Sequence, residues 1–86
     1  MNFNKVLLAG RLTRNVELRF TGSGTAVCDL SLAVNESFKN KAGETVDQVV
    51  FVEVTAWSAT AESCAEHLKK GSPVFVDGKL FLDQWR

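Results

Sequence analysis

At 86 residues, 45% hydrophobic and 23% charged, the chain has room for one small domain with one core. Ten basic residues offset ten acidic ones, so net charge attracts no class of partner, and a nucleic-acid role must rest on where cations and aromatics lie. No apolar run approaches the roughly eighteen residues of a membrane span, and no small-residue cleavage site follows the short apolar run near the start. The sequence predicts neither a membrane span nor a signal peptide.

Period-two alternation dominates the chain and predicts half-buried strands. A first strand is expected over residues 4–13, with Val6, Leu8, Gly10 and Leu12 on one face and Lys5, Leu7, Ala9 and Arg11 on the other. Gly10 inside it predicts a bulge or sharp bend, as a small barrel needs. A short extended piece, 16–20, leads into a turn at Thr21-Gly22-Ser23-Gly24. The second strand, 25–37, turns Cys28, Leu30, Leu32 and Val34 one way and Asp29, Ser31, Ala33 and Asn35 the other. Residues 39–44 form a polar, Gly-bearing loop, too long for a tight hairpin and expected to project.

The third strand, 47–57, carries Val50, Val52, Val54 and Ala56 on one face and Val49, Phe51, Glu53, Thr55 and Trp57 on the other. A helix is predicted over 61–70, with an apolar stripe of Ala61, Cys64, Ala65 and Leu68, Lys69 and Lys70 in its last turn, Gly71 as cap and Pro73 as stop. A fourth strand, 74–85, sets Val74, Val76, Gly78, Leu80 and Leu82 against Phe75, Asp77, Lys79, Phe81, Asp83 and Trp85. Three strands, a helix and a further strand give the order of an all-β OB-fold, a Greek-key barrel with one helix between strands 3 and 4. The expected fold lacks that barrel's fifth strand, since the sequence ends at Arg86. The missing strand suggests a piece of a longer chain; a domain that truly ended there, with an open edge, is expected to be marginal in stability or prone to aggregate.

The two cysteines, Cys28 and Cys64, have no metal-ligand spacing and lie in apolar patterns, which predicts buried free thiols and suits a reducing cytosol. Ser63 and His67 share a helix face, but no third group orients the histidine, and no phosphate-cradling glycine loop opens a helix. Catalysis, metal, cofactor and small-molecule substrate are therefore not expected.

Phe51, Trp57, Phe81 and Trp85 alternate with polar residues, and Phe38 stands at the base of the projecting loop beside Lys39 and Lys41. Aromatics gathered on a wet face suit single-stranded nucleic acid, because every base offers a π-face to stack on. Lys5, Arg11, Lys39, Lys41, Lys79 and Arg86 are the cations available for phosphates.

The stretches NKVLLAG (4–10), VELRF (16–20), LAVN (32–35), ESFKNK (36–41), AEHLKKGS (65–72) and VDGKL (76–80) resemble, in order and over essentially the whole chain, the bacterial single-stranded DNA-binding protein family. The resemblance implies one DNA-binding domain over residues 1–86, with Phe38, Phe51, Trp57 and Trp85 stacking bases; of the cations, Lys5, Arg11, Lys39, Lys41 and Lys79 are expected to hold phosphates. It also implies protection of single strands in replication, recombination and repair in a bacterial cytoplasm. A homotetramer is implied too, with a dimer contact through the first strand, residues 4–12. The acidic tail by which the family recruits partners is not in the sequence. Family members often carry a basic residue where Glu53 stands, and others near Phe81, Asp83 and Gln84, so these carboxylates are expected to weaken binding and flatten its salt dependence. Phe81 is either an extra platform or a contact within the oligomer. The alternative is an OB-fold protein-interaction module of the primosome-accessory type, which neutral charge and Glu53 favour.

Overall fold

The computed structural model describes residues 1–81. Its elements are β1 (Val6–Leu12), β2 (Leu18–Phe20), β3 (Ala26–Lys39), β4 (Thr45–Trp57), α1 (Ser58–His67) and β5 (Pro73–Gly78). They form one antiparallel sheet in which β3 pairs with β2, β1 and β4, and β1 pairs in turn with β5. The sheet curls into a half-barrel of OB-fold type. The expected first strand and the extended piece after it are β1 and β2.

The curl is built at Gly10. A Cβ there would sit 2.5 Å from the Ala33 carbonyl oxygen, so only glycine lets β1 cross β3 this closely. The β1–β3 ladder covers just Arg11↔Ala33 and Leu12↔Leu32, while β1 pairs with β5 from Val6↔Gly78 to Arg11↔Pro73. Asn4 extends that second ladder with its side chain: its amide donates to the Leu80 carbonyl at 2.8 Å and accepts from the Leu80 N–H at 2.9 Å.

The core lies inside the curl. Leu12, Cys28, Leu30, Leu32 and Ala56, all from the predicted inward faces, meet fully buried Ala61 of α1. Cys64 and Leu68 pack against this cluster, as the helix stripe predicts. Both cysteines are free thiols; Cys28 is buried, whereas Cys64 is only half-buried, being at the rim of the helix contact. Burial foremost, with Cys64 nearby, pushes the Cys28 thiol above its usual range and holds it protonated. None of the described helices is long and apolar enough to cross a membrane.

The helix, the long hairpin and the last strand depart furthest from the expected bounds. The helix begins and ends three residues earlier than 61–70. Leu68 keeps the period of the stripe and its core contact, but its backbone is already extended, its N–H bonding the Cys64 carbonyl at 2.9 Å. Lys69, Lys70 and Gly71 therefore lie in a turn tied down by Ser72, Asn15 and Leu12, and Gly71 (φ 90°) serves that turn, not the helix end. The β3–β4 hairpin runs further than 25–37 and 47–57, pairing out to Lys39↔Thr45. Its loop is short: the Asn40 side chain accepts from the Ala42 and Glu44 N–H groups, and Gly43 takes φ 80°. β5 stops at Gly78, where 74–85 was expected. Residues 82–86 of that prediction, Trp85 and Arg86 among them, lie outside the described residues. Among the described residues no strand pairs β4 to β5, and an apolar groove lined by Val54, Trp57, Cys64, Leu68 and Phe75 separates them.

Candidate nucleic-acid interface

The outer face of the half-barrel is a trough. Its floor is the outward row of β3: Val27, Asp29, Ser31 and Ala33. β4 forms one wall, with Trp57, Thr55, Glu53 and Phe51 opposite those four in turn. The other wall is made by β1, β2 and the segment between them. Arg19 pairs with Val27, and Arg11 pairs with Ala33. Thr13 bonds the Ser31 carbonyl through its N–H at 2.9 Å. Two rows thus cross the sheet from aromatic to cation, Trp57–Val27–Arg19 and Phe51–Ala33–Arg11. At the spacing of adjacent strands, the backbones of β4 and of β1 or β2 lie about 10 Å apart on either side of β3.

Both wall aromatics are open to solvent, Phe51 at 73% and Trp57 at 55%, as expected of the face they share with Glu53 and Thr55. Strand alternation places them there: each neighbour along β4, Val52 or Ala56, turns inward. Trp57 also closes β4, and the chain turns into α1 through Ser58 in the left-handed region (φ 54°).

Phe38 is half exposed and stands apart. It pairs with Val46 inside the hairpin, not at a loop base, on the parity of Leu32 and Val34 and beyond the end of the core. Lys39 ends β3, and Lys41 is in the hairpin loop. The trough and the hairpin tip are thus two separate parts of the expected stacking surface. Trp85 lies outside the described residues. Phe81 is exposed, just past the Asn4–Leu80 clamp. Among the expected phosphate contacts, Lys5 forms an ion pair with Asp77 at 3.4 Å, and Arg11 donates to the Gly71 carbonyl at 3.2 Å. Lys39, Lys41 and Lys79 make no ion pair among the described residues.

Two arginines that sequence reasoning left out occupy the trough. Arg19 donates to one Asp29 oxygen at 2.8 Å, while the other accepts from Thr55 at 3.1 Å. Arg14 reaches one Glu53 oxygen at 3.4 Å, while the other accepts from the buried Ser31 hydroxyl. The Arg19 hydrogen bond foremost, helped by that of Thr55, holds the Asp29 carboxyl below its usual range, although desolvation opposes it more strongly than the Thr55 bond favours it. Glu53 and Asp29 are therefore not bare negative charges in the trough. Arg19 alternates with Leu18 and Phe20, a signal visible in the sequence, but Arg14 lies in irregular backbone, and only the fold brings it to Glu53.

A half-barrel with these aromatics on its outer face defines an OB-fold domain with a candidate nucleic-acid surface. The comparisons agree on the fold. The chain superposes on the crystal structure of the wild-type single-stranded DNA binding protein from Thermus aquaticus with a TM-score of 0.87 at 34% identity, covering 96% of this chain and 40% of that one. A deletion variant of the same protein gives a TM-score of 0.92 at 33% identity, covering 98% and 41%. Among curated relatives, a single-stranded DNA-binding protein from Wolinella succinogenes is 45% identical over 83 residues, 96% of this chain and 51% of that one. The single-stranded DNA-binding protein B of Bacillus subtilis is 47% identical over 78 residues, 91% and 67% of the two chains.

The model of the single-strand binding protein family matches residues 3–86, and the chain belongs to that family. It spans about half the length of several of the relatives it matches.

Proposed function

We propose that the chain binds single-stranded DNA with little sequence preference, by stacking bases on exposed aromatics and pairing phosphates with cations. The observation that carries this reading is the open aromatic wall of Phe51 and Trp57, facing cations across a floor of short side chains in a chain of this family. Bases stack at no cost in sequence, which suits a protein that must cover whatever strand is exposed. Phe38 extends the surface along the hairpin, and Trp85 completes the stacking set. Arg11, Lys39, Lys41 and Lys79 supply phosphate contacts, with Lys5 available once its exposed pair with Asp77 exchanges. Residues 1–86 act as one binding domain without catalysis, metal or cofactor, protecting strands opened in replication, recombination and repair in a bacterial cytoplasm.

Self-association as a homotetramer belongs to the same proposal. Pairing with β3 ends at Arg11, so the edge of β1 facing β3 carries no partner strand over Val6–Ala9 among the described residues. Leu7 is more than half exposed beside it. A second copy's first strand fits this edge across a twofold axis.

Titration with oligo-dT, followed by tryptophan fluorescence, tests the reading. Strong quenching by the single strand, and much weaker quenching by a duplex of the same length, is expected. No quenching of the folded protein at low salt would refute it and favour a protein-binding surface.

A further inference from the structure

We propose that Arg14 and Arg19 are phosphate contacts of the trough, held in place by Glu53 and Asp29; this rests on the single-strand reading above. The two sites share one design. Each carboxylate sits on β3 or β4, with one oxygen fixed by a hydroxyl of the neighbouring strand, Ser31 for Glu53 and Thr55 for Asp29. The other oxygen meets a guanidinium arriving from the opposite wall.

A guanidinium has five N–H donors, and each arginine spends a single one on its carboxylate. Both side chains are about three-fifths exposed. The remaining donors are open to a phosphate, whose oxygens match the guanidinium fork. The carboxylates act as tethers. They restrict where each guanidinium lies before the strand arrives, so less freedom is lost on binding.

Placement fits the strand. Arg19 lies across Val27 from Trp57, and Val27 between them is only 2% exposed. Arg14 reaches the middle of the trough, at Glu53 between Trp57 and Phe51. A base stacked on the aromatic wall would thus have its backbone over the floor, within reach of a tethered cation. Glu53, where a bare carboxylate would repel the strand, becomes the means of holding Arg14 there.

The test is the salt dependence of oligo-dT binding by the protein and its Arg14→Gln and Arg19→Gln variants. Each neutralised phosphate on a single strand contributes about 0.7 to the slope of log K against log salt. Each variant is expected to lower the slope by about that amount while keeping the full tryptophan quenching at saturation, and Arg14→Lys is expected to restore it. Arg14 makes one long hydrogen bond to an exposed glutamate, so Arg14→Gln leaves the fold intact and decides the case alone should Arg19→Gln unfold. An unchanged slope in Arg14→Gln, with quenching intact, would overturn the inference and leave single-strand binding standing. Absence of binding by the unsubstituted protein would instead overturn the reading beneath it.

Discussion

Asp29 shows how the outer face tolerates acidic residues. Its carboxylate takes hydrogen bonds from Arg19 and Thr55, which favour the charged form. A carboxylate whose folded pKa is depressed adds stability that is present above the ordinary value near 3.8 and lost as pH falls through the lower folded value. Melting temperature against pH should therefore fall less steeply on the acid side in Asp29→Asn than in the parent protein. Parallel acid limbs would show that the pairing contributes nothing to stability. The sequence placed Asp29, Glu53, Phe51 and Trp57 on one face, because alternation fixes faces. It left the partners of those carboxylates unread. Arg14 is 39 positions from Glu53, and only strand register brings so distant a pair together.

At the scale of elements, alternation located four of the five strands, with β2 read only as a short extended piece, and boundaries were the weaker part. Phe38 and Lys39 lie past the expected second strand, and Thr45 and Val46 before the expected third, yet they continue the ladder as Phe38↔Val46 and Lys39↔Thr45. A hairpin leaving the barrel has no core face, so its sequence loses the apolar signal while its hydrogen bonding goes on. Periodicity likewise carried Leu68 into the helix, because a residue just past a helix end can still point at the core. The exposed edge of β1 has a direct consequence. In an antiparallel pairing of two first strands, the two copies of Leu7 come near each other across the axis. Leu7→Lys sets like charges together at that edge and should shift the protein toward monomer in sedimentation velocity. An unchanged assembly would place the subunit contact elsewhere.

For the molecule as a whole, a net charge of zero conceals a strongly organised surface. One face of a curled sheet carries aromatics on one strand and arginines two strands away, over a floor of short side chains; the opposite face makes the core. Composition could not reveal this, whereas alternation revealed part of it: Phe51, Trp57 and Arg11 were placed from the sequence, and Arg14 and Arg19 were not. Alternation marks Trp85, and the neighbouring lysines mark Phe38, before the resemblance gives both a stacking role; Phe38 sits on the hairpin away from the trough. The central claim is that the wall of Phe51 and Trp57 stacks bases. Its most direct test is the oligo-dT affinity of a Phe51→Ala, Trp57→Ala double variant at fixed salt. With about 1–3 kcal/mol per stacked base, a loss of at least about 30-fold is expected, with the melting transition retained because both side chains lie outside the core. A folded double variant that binds within twofold of the parent would contradict the account.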